Sequence, residues 1–149
     1  MAARTVLEEL TEEDALSPEY VGQRLDDWAA RVEALYGEIE RWLPAGWTAR
    51  RGSAVTMHEE LMQKSNVPAR KLPTLEIVHD AKVQIQIRPY GLWIIGANGR
   101  LDLIAQGELF FLLDHAKTFE RPSWQITPAK SPRSFKPFDE KQLRNLLRA

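Results

Sequence analysis

The chain of 149 residues is 44% hydrophobic and 28% charged with a formal net charge of −1, which fits one folded domain with a core of its own. It contains no cysteine, so disulfides, thiolate metal sites and a cysteine nucleophile are excluded. The near-zero sum hides segregation: residues 1–65 carry 7 basic and 13 acidic side chains, residues 66–115 carry 5 of each, and residues 116–149 carry 8 basic and 3 acidic. Such polarity can steer a partner or dock one end of a chain on another.

The opening "MAARTVLEELTEED" turns acidic within eight residues and has no apolar run of signal-peptide length. No later segment reaches the roughly 18 apolar residues that a spanning helix needs. A cytoplasmic protein without membrane contact is the expectation. "TVLEELTEEDAL" reads as one or two helical turns, with Thr11 as a cap and Asp14 in the first turn.

"LSPEYVGQRLDDWAARVEALYGEIERWLPAGW" announces a long helix over residues 18–43. Ser17 is a suitable N-cap, Pro18 stands where its missing N–H costs nothing, and Pro44 and Gly46 stop the run. Val21, Leu25, Trp28, Val32, Leu35, Ile39 and Trp42 recur at alternating spacings of 4 and 3, a heptad seam widened by Tyr36 and Leu43. Such a helix is about 39 Å long, whereas strands of five to seven residues give a sheet only about 20 Å deep. Either the helix packs across its own sheet, or part of the seam overhangs it and meets a partner. On the second reading Leu25, Trp28, Val32, Leu35, Ile39 and Trp42 form the partner-binding surface.

Residues 46–73 are the least legible: "GWTARR" suggests a short strand, "TMHEELMQKSN" a helix of two to three turns, and "VPARKLP" a linker. From residue 74 the period becomes 2. Leu75 and Ile77 are followed by a His79–Asp80 turn, then Val83, Ile85 and Ile87 alternate with Gln84, Gln86 and Arg88. "YG" suggests a second turn, "LWIIGA" a third strand, and Asn98–Gly99 a hairpin turn. "RLDLIA" and "ELFFLLD", joined at Gln106–Gly107, complete a meander of five antiparallel strands. The fifth is apolar on both faces, so one face should lie under the long helix and the other should meet a second layer or a partner. A short strand in "RPSWQITPA", the irregular "KSPRSFKP" and a C-terminal helix capped by Asp139, with Gln142 as its box partner and Phe138 stapled to Leu143, end the chain. The fold class is α+β, one domain over residues 1–149: a long N-terminal helix on an antiparallel meander of about five strands, then a short helix.

Residues 91–117 contain "GRLDL" and "LLDHAK", with Asp102 and Asp114 on neighbouring strands and Lys117 shortly after. This stretch resembles the signature hairpin of the PD-(D/E)xK nuclease superfamily. The resemblance implies two carboxylates holding a divalent ion against a scissile phosphate, with the lysine orienting water. Here Ala116 occupies the lysine place of that pattern, and Lys117 comes one residue late. The three histidines, His58, His79 and His115, lie in different elements with no ligand spacing, so zinc is not expected.

Lys130, Arg133 and Lys136 with Phe135 interleaved form a basic loop that can contact phosphates and stack a base. Two functions follow. The first is a non-catalytic protein-interaction or assembly module, self-associating or partnered through helix 18–43 and needing no cofactor. The alternative is a metal-dependent nuclease, or a catalytically degenerate relative that binds nucleic acid, with Asp102, Asp114 and Lys117 as the site and a divalent metal as cofactor.

Overall fold

The computed structural model describes residues 17–147. The helical turns expected around Thr11 and Asp14 lie outside the described residues. Helix α1 spans Pro18–Trp42, with the Ser17 hydroxyl accepting the Tyr20 N–H at 3.1 Å and Pro18 in the first turn. It ends where Leu43 turns extended (ψ 134°), as the residue before a proline is sterically pushed to do.

Seven strands follow: β1 Trp47–Met57, β2 Arg70–His79, β3 Lys82–Ile94, β4 Ala97–Ala105, β5 Glu108–Asp114, β6 Trp124–Pro128 and β7 Lys136–Pro137. Helix α2, Glu60–Lys64, lies between β1 and β2, and α3, Glu140–Leu146, follows β7. The strands form one sheet in sequence order, each antiparallel to its neighbour. The expected α+β architecture is therefore present, with a larger sheet than the sequence suggested. The short strand expected at "GWTARR" extends to eleven residues as β1, and the "VPARKLP" linker already contains the start of β2. α2 is a five-residue turn of helix rather than two to three turns.

Two expected turns are not turns. At Tyr90–Gly91 the strand continues through a bulge, with Pro89 paired to Leu101 and Gly91 to Arg100, so the expected second and third strands are one, β3. The β3–β4 reversal falls on Ile95–Gly96, leaving Asn98 and Gly99 inside β4. Packing overrides the local signal there. Gly99 has a φ of 102°, and a Cβ on it would overlap the Trp28 ring.

The longer sheet accommodates the long helix. Strand β3 has 13 residues, about 43 Å of strand, so nothing forces the α1 seam past its own sheet. Trp28 packs by β4 and against Trp124 of β6 at 5.9 Å, and the Tyr36 hydroxyl donates to the Pro73 carbonyl of β2 at 2.8 Å. Burial pushes the Tyr36 phenol far above its ordinary pKa, with Glu33 adding to the rise and Arg51 opposing it. α3 sits on the same face, with Phe138 edge-on to Trp42 at 5.9 Å and Leu143 fully buried. Its cap is the expected one, Asp139 accepting the Gln142 N–H at 2.9 Å. Trp28, Tyr36, Phe138 and Leu143 belong to one hydrophobic cluster, against which Trp42 and Trp124 pack.

Candidate functional site

Antiparallel pairing sends alternate residues to opposite faces, and the described helices pack on only one face of this sheet. On the other, open face lie Gln84, Gln86 and Arg88 of β3, Arg100, Asp102 and Ile104 of β4, and Leu109, Phe111 and Leu113 of β5, as the registers Arg88↔Asp102↔Phe111 and Ile104↔Leu109 require. A bulge between Ile77 and Val78 turns Val83 to the same side as Gln84. Val83 is 44% exposed, Tyr90 55%, Ile104 39% and Leu109 38%. Val83, Gln84, Gln86, Ile104, Gln106 and Gly107 line a shallow depression of about 310 Å³ that carries no charge.

The other end of this face is cationic and aromatic. The Arg100 guanidinium lies 3.8 Å from the ring centroids of both Tyr90 and Phe111, and its Nε donates to the Asp102 carboxylate at 2.8 Å. The β3 bulge is what brings Tyr90 beside Arg100. Asp102 is thus the paired carboxylate of a stacked arginine.

Asp114 lies elsewhere. It is three residues from Phe111, the partner of Asp102, an odd separation that places it on the helix-facing side of β5. There it is fully buried and ion-paired to Arg31 at 2.6 Å, while its other oxygen accepts the Ala116 and Ser123 N–H groups at 3.0 and 2.8 Å. Arg31 is itself 4% exposed and also donates to Asp27 at 2.6 Å and to the Glu120 carbonyl. Asp102 and Asp114 therefore do not converge on one ion, and Lys117 is exposed on the loop beyond β5. Among the described residues no group of three or more histidines and carboxylates is placed to hold a metal. The paired-carboxylate reading of Asp102, Asp114 and Lys117 is corrected on the parity of the strands.

The surface assigned to the α1 seam is corrected as well. Leu25, Trp28, Val32, Leu35 and Ile39 are at most 3% exposed, covered by the chain's own sheet, and Trp42 packs against Phe138. The seam is core. Of the basic loop, Lys130 pairs with Glu108 at 3.5 Å, Arg133 and Lys136 are exposed, and Phe135 meets the His115 ring at 4.7 Å. Arg31 was missed because an arginine four residues after Asp27 reads as a surface helix pair. Ile104 carried a signal, since it shares the Asp102 parity opposite Leu101 and Leu103.

No described helix is long and apolar enough to cross a membrane. No family model, curated protein or solved structure matches this chain.

Proposed function

We propose that the chain is a non-catalytic protein-interaction module of the cytoplasm that self-associates through the open face of its sheet. The observation that supports this reading is the set of exposed apolar side chains on that face: Val83, Tyr90, Ile104 and Leu109. The sheet edges offer less. β1 is interrupted by a bulge between Arg51 and Ala54, and β7 has only two residues, one of them Pro137. Bulges, charge and proline are the devices that blunt edge-to-edge pairing. The face from β2 to β6, five strands about 4.8 Å apart and some six residues deep, is on the order of 480 Å² in projection. That falls below the roughly 800 Å² per partner of a standard interface. A dimer in the micromolar range is the outcome this area supports, two sheets packed face to face.

Sedimentation equilibrium across a dilution series tests it. Reversible dimerisation at micromolar concentration is expected, and a monomer throughout would remove self-association from the proposal.

A further inference from the structure

We infer that the loops flanking β6 form a contact surface for single-stranded nucleic acid, independent of the open sheet face. From residue 115 to residue 137 the chain carries five basic side chains and one acidic, Glu120. Lys117 and Arg121 stand on the β5–β6 loop, and Arg133 and Lys136 on the β6–β7 side; all four are exposed, and none has an ion-pair partner among the described residues. The His115–Phe135 contact, rings 4.7 Å apart and inclined at 69°, ties the two loops together.

Two aromatic rings lie among these cations. Phe135 stands between Arg133 and Lys136 and is 39% exposed, with its orientation set by His115. Phe119 is 49% exposed, held edge-on to Tyr20 at 6.3 Å. Pro122, Pro128, Pro132 and Pro137 restrict the backbone around them. Cations that follow a phosphate backbone, with rings on which bases stack, are the elements of sequence-tolerant single-strand binding. An acidic peptide or an anionic membrane would use the same charges, but single-stranded nucleic acid presents both the repeating phosphates and the unstacked base faces that these cations and rings fit. A duplex keeps its bases stacked on each other. The rings therefore select a single strand.

The test is fluorescence anisotropy of labelled 20-mers of deoxythymidine and uridine at about 50 mM salt, the low end of the range where phosphate contacts dominate. Duplex DNA and phosphatidylserine vesicles serve as competitors. Binding to both single strands is expected, with log affinity against log salt falling at a slope of about −2.8, or −0.7 for each of four cations. Phe135→Ala should weaken binding about tenfold through lost stacking, and Arg133→Glu should weaken it and flatten the slope. Both positions are exposed, so circular dichroism should show the fold unchanged. Absence of binding at low salt, binding unaffected by Phe135→Ala, or preferential capture by duplex or vesicles would each overturn the inference.

Discussion

Arg31 links helix to sheet through a charge taken out of water, which must stay paired. Its guanidinium reaches Asp27, Asp114 and the Glu120 carbonyl, so β5 and the following loop are tied to one turn of α1. Removing one partner of a buried pair leaves the other charge uncompensated. Asp114→Asn should therefore destabilise the protein by about 3 kcal/mol in urea titration. Asp27 remains as a partner, which holds the loss to the low end of the range for such pairs. Asp102→Asn, in a pair whose side chains keep 21% and 17% exposure, should cost about 1 kcal/mol. Equal losses at the two aspartates would contradict the opposite-face assignment. Glu59 offers a pH-dependent check. Its carboxylate accepts the Leu92 and Trp93 N–H groups at 3.0 and 3.4 Å. Burial nevertheless raises its pKa, against the lowering effect of those donors and of Arg24. The folded state then holds this proton to higher pH than the unfolded chain. The group costs stability as pH rises through that interval, and the cost is complete above the folded value. Glu59→Gln does not titrate, so the stability gap between variant and wild type should move toward the variant as pH rises above the ordinary glutamate range. A gap constant with pH would show that Glu59 is not buried in the way described.

At the scale of elements, the parts legible in the sequence are those governed by one strong local rule. α1 is readable because Ser17, Pro18 and Pro44 mark its ends and the heptad marks its buried side; the end of β2, the first half of β3 and most of β4 are readable from their alternation. The rest depended on contacts between distant residues. Strand β1 hides its period behind Gly52 and Ser53, which sit in a bulge with the Ser53 carbonyl accepting the Thr74 hydroxyl. Asn98–Gly99 carries the strongest hairpin signal in the chain, yet it lies inside β4 because Trp28 needs the space of a missing Cβ. Gly99→Ala should accordingly cost about 3 kcal/mol or more, combining a positive φ with overpacking. Gly96→Ala shares the positive φ, but a Cβ there meets nothing within 4 Å. It should lose only about 1 kcal/mol, the cost of a left-handed non-glycine residue. Chemical denaturation of the two variants side by side separates strain from crowding, and comparable losses would refute the packing role of Gly99. The seam of α1 was legible as buried but not as to what buries it, since periodicity fixes which side is covered and says nothing about which chain supplies the cover.

At the scale of the whole molecule, the two sides of the sheet have different roles. One carries α1, α2 and α3 over a closed core; the other presents a neutral apolar end and an arginine held between two rings. This division is the central claim, and paired variants test it most directly. Ile39→Asp puts an unpaired charge into the core, at a cost of several kcal/mol, whereas Ile104→Lys puts a charge on the open face. Circular dichroism and sedimentation equilibrium on both proteins should show Ile39→Asp unfolded and Ile104→Lys folded, cooperative and monomeric at the micromolar concentrations where the proposed wild-type dimer is expected. A folded Ile39→Asp monomer beside an Ile104→Lys dimer would contradict the account and return the interface to α1.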